Sequence, residues 1–219
     1  MLGTVLAIAV AILLNEIRST MGKKVYQTLI LVPFLISIVV VSYLVYGFLS
    51  TDAGFINNSI LKPMGKEAIG WYSNAKYWPF ILIFVNIWKN LGYNCIIYYA
   101  TVVGWDASLY ESASIDGANR WQKIKNIIWP TIKPTTTILL IMNLGNVLNS
   151  DYTKILLMQN DTNRSQLEVI GTFVYQKGIV EGKFSYATAV NLFISVIGFA
   201  LVFGANMITR KINPENSLW

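Results

Sequence analysis

The 219-residue sequence has no histidine, a single cysteine and few charges, Asp, Glu, Lys and Arg making up only 13% of it. Without imidazole there is no histidine acid–base chemistry and no His-containing metal site. The lone thiol, Cys95, has no partner for an internal disulfide. Soluble domains carry about 25% charged residues, so roughly half of that complement is missing. In its place stand 54% hydrophobic residues and a mean hydropathy of +0.50. That composition excludes an ordinary soluble domain and points to a membrane protein. A G-x-x-x-x-G-K-[ST] phosphate loop is absent too. The net charge of +6 would suit nucleic acid in a soluble domain, but here the bases fall largely in loops. That is the positive-inside bias of a membrane chain, and no nucleic-acid partner is expected.

Four segments approach the roughly 20 apolar residues that cross a bilayer. They are Thr28–Ser50, Trp78–Gly104, the short Thr135–Asn149 and Tyr186–Ile208. The third is expected to borrow length from the "YTKILLM" that follows it. Leu2–Leu14 is too short to span alone and lacks the basic flank of a signal peptide, so the chain is expected to begin inside a helix, truncated at its N-terminus. Placing the short basic loop Asn15–Gln27, the segment Glu111–Pro130 and the tail after Ile208 inside leaves Thr51–Tyr77 and Ser150–Ser185 outside. The aromatics of "GWYSNAKYWPF" suit an outer interfacial belt.

The segment "ESASIDGANRWQKIKNIIWP", Glu111–Pro130, is the least membrane-like part of the interior. Asp106 can cap a helix over about Ala107–Ile115, and Ser108–Glu111 also fits a capping box. Asp116-Gly117-Ala118 reads as a turn in which glycine adopts positive φ. Asn119 and Gln122 repeat the capping pattern for a second helix, which proline is expected to end near Pro130. On that helix Trp121, Ile124, Ile127 and Ile128 share the face expected to be buried, with Arg120, Lys123 and Asn126 pointing away. The physics alone allows either a solvated amphipathic loop on the membrane surface or a knob that a partner grips.

The pattern Glu111-Ser112-Ala113, Asp116-Gly117-Ala118, then Ile127-x-x-Pro130 resembles the EAA loop of binding-protein-dependent ABC importer permeases. Ser112 stands for the first alanine and Trp129 for the usual leucine. "LLNEIRS", "IWKNLGY", "LGNVLNSDYTKI", "FVYQKGI" and "FSYATAVNLF" extend the likeness, in order, to the LplB-type polysaccharide and oligosaccharide permeases. The resemblance implies an all-α integral membrane domain of the type I, MetI-like class. That single permease domain would occupy 1–219, with residues 106–130 as the cytoplasmic ATPase-coupling loop. Glu111, Ser112, Ala113, Asp116, Gly117, Ala118, Ile127 and Pro130 would carry the coupling. It further implies a bacterial cytoplasmic membrane location, a second permease subunit completing a heterodimer, and a cytoplasmic ATPase dimer that uses ATP and Mg. A lipid-anchored extracellular binding protein would deliver an oligosaccharide. This chain itself would hold no cofactor, catalytic residue or metal.

A polar face runs through the second long span. Asn86, Asn90, Tyr93 and Asn94 recur at helical spacing with Lys89 at the border, and Asn143, Asn146 and Ser150 form a shorter stripe. Amides pair with sugar hydroxyls and a tyrosine ring covers a pyranose face, so these residues either line the substrate path or hold helices together. Lys89 is read as the only charge deep in a span. Its partner is expected from a loop, a second subunit or the substrate. Two rivals differ in kind. An ion-gradient transporter would need membrane acids, which the long spans lack, and a non-transporting scaffold would use the knob for docking alone.

Overall fold

The computed structural model describes residues 1–17, 19–104, 107–149 and 151–219, and the described residues contain helices, turns and no strand. In chain order α1 is Leu2–Glu16, α2 Thr20–Leu35, α3 Ile38–Leu49, α4 Trp78–Val103, α5 Ala107–Ile115, α6 Arg120–Lys123, α7 Trp129–Gly145, α8 Tyr152–Met158, α9 Arg164–Leu167, α10 Ile170–Tyr175 and α11 Phe184–Ile212. Arg18, the Asp106 cap, the first residue of the 106–130 loop, and Ser150 of the asparagine stripe lie outside the described residues.

Among the described residues two helices are long and apolar enough to cross a membrane unbroken, Ala75–Val103 and α11. The span expected over Thr28–Ser50 is instead two helices, α2 and α3, bent by 93° at the break between them. Pro33 withdraws an N–H two residues before α2 ends. Ser37 then starts a new helix, its Oγ accepting from the Val39 N–H at 3.3 Å.

The third expected span also differs. Residues of "YTKILLM" do not lengthen it, because Asp151 caps them as the separate helix α8, its carboxylate accepting from the Lys154 N–H at 3.4 Å. Length comes from the other side. The expected stop at Pro130 does not occur: α6 passes through a π-helical turn, Ile124–Ile128, directly into α7. In that turn the Trp129 N–H reaches back five residues to the Ile124 carbonyl. Pro130 therefore enters in the first turn of a new α segment, where its missing donor costs nothing. Pro134 follows inside α7.

The chain forms two compact units, each assembled from separated stretches. The first takes Met1–Leu35, Ile87–Asn146 and Gly198–Trp219; the second takes Ile36–Asn86 and Val147–Ile197. The first unit's core sets Ala7, Ala11 and Leu14, one stripe of α1, against Cys95 and Tyr98 of α4 and Ile128 and Ile132 at the start of α7. In the same unit α7 and α11 meet at glycines. A Cβ on Gly198 would lie 2.7 Å from the Gly145 carbonyl oxygen, so small residues let the backbones touch, as in many membrane helix pairs. The second unit's core joins Val41 and Val45 of α3, Trp78 and Val85 of α4, Ile155 and Met158 of α8 and Leu167 of α9. Phe80, Ile83 and Phe84 on α4 and Leu192, Phe193, Val196 and Phe199 on α11 remain exposed. Surface this apolar fits lipid or another subunit, not water.

Candidate functional site

The knob is built by a helix end and a helix start that share one glycine. α5 closes in a paired motif: the Ala118 N–H donates to the Ala113 carbonyl at 2.9 Å and the Gly117 N–H to the Ser114 carbonyl at 3.3 Å. That closure needs a left-handed residue between the two helices, and Gly117 supplies it with φ +75°. Asn119 then opens α6 with a reciprocal box. Its Oδ1 accepts from the Gln122 N–H at 2.9 Å, and Gln122 Oε1 accepts from the Asn119 N–H at 2.7 Å. Lys123 Nζ donates to Ser114 Oγ at 2.7 Å and ties α5 to α6. Ser108 lies in the first turn of α5, its carbonyl accepting from Ser112 Oγ at 2.7 Å. Arg120 reaches Glu16 at 3.5 Å, a pairing too exposed to contribute much.

Around this turn Glu111, Ser112, Asp116, Gly117 and Pro130 are exposed, while Ala113, Ala118 and Ile127 are partly covered. The expected burial of Trp121 is wrong. Ile128 is buried and Ile124 packs beside it, but Trp121 is 70% exposed and Ile115 86%. The π turn accounts for this, because an extra residue per turn rotates the downstream isoleucines away from the direction of Trp121. Sequence reasoning missed Ile115 altogether. Its signal was an apolar residue immediately before an Asp-Gly turn, where no helix face remains to bury it. The result is a rigid two-helix knob with apolar side chains presented outward.

A second constellation lies at the end of α2, within the first unit. Gly92 lets α4 press against the backbone of α2 at Ile30. One turn earlier on α4, Lys89 Nζ donates to the Phe34 carbonyl at 3.0 Å and the Pro33 carbonyl at 3.5 Å. These are the carbonyls that the end of α2 leaves without helical donors, at the negative end of its dipole. The ammonium also stands 5.8 Å from the centre of the Phe34 ring, and Phe34 stacks on Tyr93 at 4.7 Å. The expected source of Lys89's partner is thereby corrected: the chain's own broken helix supplies it. A hydrogen bond to a charged group contributes about 1.5–3 kcal/mol. Lys89→Met should therefore lower the melting temperature of the assembled complex in detergent, and unchanged melting would show that the ammonium does not hold the break.

Lys89 is also not the only charge drawn inside. Lys154, expected in an outer loop, is 9% exposed on α8 and donates to Asn86 Oδ1 at 2.9 Å within the second unit. Asn86 and Tyr93 are exposed, Asn90 and Asn94 partly buried. Asn143 is exposed in the last turn of α7, and Asn146 caps that helix, its Nδ2 donating to the Met142 carbonyl at 3.3 Å. These two therefore mark a helix end, not the middle of a span.

Residues 3–214 match the family described as the binding-protein-dependent transport system inner membrane component, and the chain belongs to that family. It is 38% identical over 205 residues to protein LplB of Bacillus subtilis (strain 168), covering 94% of this chain and 64% of that one. It is also 38% identical over 208 residues to the polygalacturonan/rhamnogalacturonan transport system permease protein YteP of the same organism, covering 95% and 64%. The chain thus spans 64% of the length of these two curated relatives. Among solved structures it superposes with a TM-score of 0.89 and 36% identity on a chain of a bacterial alginate ABC transporter in complex with an alginate pentasaccharide-bound periplasmic protein. That match covers 96% of this chain and 73% of the other. The fold is accordingly the MetI-like membrane permease fold, and the family is one of inner-membrane components.

Proposed function

We propose that this chain is the membrane-spanning permease subunit of an ATP-driven importer of an oligosaccharide. The knob at Gly117 carries the proposal. A charged, doubly capped two-helix turn with Ile115 and Trp121 outward has the form of a plug for a groove in a cytoplasmic ATPase. Glu111, Ser112, Ala113, Asp116, Gly117, Ala118, Ile127 and Pro130 form or flank that plug. The ATPase, a dimer, would spend ATP with Mg and transmit its closure through α5 and α6. The unbroken helical path from α6 into α7 gives that motion a lever into the membrane.

Charge supports the orientation. Ten of the 17 Lys and Arg fall in the segments of the first unit, with five of the 11 acids; the second unit's segments hold seven against six. The basic excess thus travels with the knob, as a cytoplasmic side requires. The loops 51–77 and 151–183 belong to the second unit and would receive sugar from a lipid-anchored extracellular binding protein. A second permease subunit would complete the pathway, covering apolar surface left open on α4 and α11. The path residues would be Asn86, Lys89, Asn90, Tyr93 and Asn94, with Asn143 and Asn146 at the end of α7. YteP is named for polygalacturonan and rhamnogalacturonan, and the similar structure for alginate. Polymers of uronic acids are therefore the favoured substrate class. Reconstitution with both partner subunits and the binding protein tests this: uptake of such an oligosaccharide should require ATP inside the compartment of the knob. Uptake driven by an ion gradient without ATP, or no uptake of any sugar, would refute it.

A further inference from the structure

The second unit holds a cavity of about 300 Å³ that none of the path residues lines. Its walls are Ser42, Tyr43 and Tyr46 of α3, Tyr72 of the 51–77 loop, and Leu157 and Gln159 at the end of α8, among others. That volume is at the low end of ligand pockets, enough for roughly one or two sugar rings. No charged side chain lines it.

Its aromatic wall is held in place from several sides. Tyr46 and Tyr72 meet edge to face at 5.6 Å, and Tyr72 meets the buried Trp78 likewise at 4.7 Å. The Tyr72 carbonyl accepts from Asn160 Nδ2 at 3.4 Å and Thr162 Oγ1 at 3.2 Å. Just upstream, buried Asn57 fixes the loop: its Oδ1 accepts from the Ile69 N–H and from Trp71 Nε1, both at 3.2 Å. The rings are thus ordered before any ligand arrives, which removes an entropic cost of binding. Tyr43 and Tyr46, three residues apart on one face of α3, still leave 72% and 55% of their surface open.

Of the wall's polar groups, Ser42 Oγ donates to the Val39 carbonyl at 2.7 Å, but one acceptor is left over. Gln159 Oε1 is buried and has no hydrogen-bond partner, and the same holds for Nε1 of the adjoining Trp78. Buried polar atoms in native structures are nearly always paired, so a side chain that lines the cavity while its oxygen stays unpaired gains by turning to a donor that enters. Burial pushes the Tyr72 phenol up to about 12, with Tyr46 adding to the shift, so Tyr72 stays a neutral donor across the physiological range.

We propose that this tyrosine-lined cavity is a sugar-binding subsite that takes one neutral pyranose face of the oligosaccharide, the C–H face resting on Tyr43 or Tyr46 and a hydroxyl donating to Gln159 Oε1 once that side chain turns into the cavity it lines. The proposal rests on the reading of the chain as an oligosaccharide importer subunit. It adds a place where the sugar is held by ring and hydroxyls, the carboxylates of an acidic chain staying outside a cavity that offers them no cation.

Saturation-transfer NMR on the purified complex in detergent, with alginate and polygalacturonate pentasaccharides as probes, reads ring contact without requiring transport. At least one probe should show transfer to its ring protons. Tyr46→Leu and Gln159→Leu should each weaken the apparent Kd roughly three- to tenfold, the range of one aromatic contact or one hydrogen bond, while Tyr46→Phe stays near wild type. No transfer from the wild-type complex, or equal transfer in both leucine variants, overturns the subsite. If both leucine variants fail to assemble while Tyr46→Phe assembles, the cavity is a structural seam and the proposal falls as well. Binding with the expected variant pattern but no ATP-driven uptake would sink the importer reading and leave the subsite standing.

Discussion

Gly117→Val should abolish the coupling of sugar-stimulated ATP hydrolysis to uptake while the subunit still inserts and assembles. The left-handed conformation at Gly117, φ +75°, is one that a β-branched residue adopts only as an outlier. It costs about 1–2 kcal/mol for an ordinary L-residue and more for valine. Space is not the obstacle, since a Cβ there would meet nothing within 4 Å. The whole effect is therefore a backbone effect, and it falls on the two closing bonds, Ala118 to Ala113 and Gly117 to Ser114. Once they open, α6 no longer leaves α5 at a fixed angle. The spans are untouched, because the knob's packing into its unit runs through Ile124, Ile128 and Ile132, beyond the turn. Gly117→Asn is the control, as asparagine tolerates this region far better; it should keep most of the coupling. Vesicles in which the valine variant is assembled and hydrolyses ATP in response to sugar like the wild type would remove the knob from the coupling role.

What could be read from the sequence was what depends on neighbours within about five residues. The Asn119–Gln122 box, the positive φ of Gly117 and the extent of α5 are local, and the structure has each of them. The long apolar runs gave α4 and α11 because twenty or more apolar residues have few alternatives in a bilayer. The failures share a cause as well. Pro33 is hidden in the apolar run Thr28–Ser50, yet a proline followed four positions on by a serine can end one helix and start another. Pro130 has the look of a stop, yet a π turn ahead of it rebuilds the ladder. The partners of the two interior lysines could not be read at all. Lys89 and the Phe34 carbonyl are 55 residues apart, Lys154 and Asn86 68, and only the fold brings them together. The carbonyl is moreover an acceptor only because α2 breaks there, so missing the break meant missing the partner.

Gly92→Val should remove the assembled subunit from the membrane. A Cβ on Gly92 would overlap the backbone of α2, with the Ile30 carbonyl oxygen nearest and the Leu31 Cα at 3.0 Å. Backbone cannot swing aside as a side chain does, so α4 must move off α2 by the width of the new group. Overpacking of this kind costs about 1–3 kcal/mol in a core able to relax. Here the displacement has a second consequence one turn away. Lys89 holds the Phe34 carbonyl at 3.0 Å, and separating the helices would break that bond at the end of α2. Losing such a bond adds about 1.5–3 kcal/mol, and stacking of Tyr93 on Phe34 goes with it. Together these reach the low end of the whole stability of a typical domain, about 5–15 kcal/mol. Gly204→Ala, in α11, is the matched control: a Cβ there meets nothing within 4 Å, and alanine is the better helix former. Its yield should equal or exceed wild type. Recovery of the complex after mild detergent extraction, compared for the two variants, decides the matter, and equal recovery would mean that α4 does not rest on α2 through Gly92.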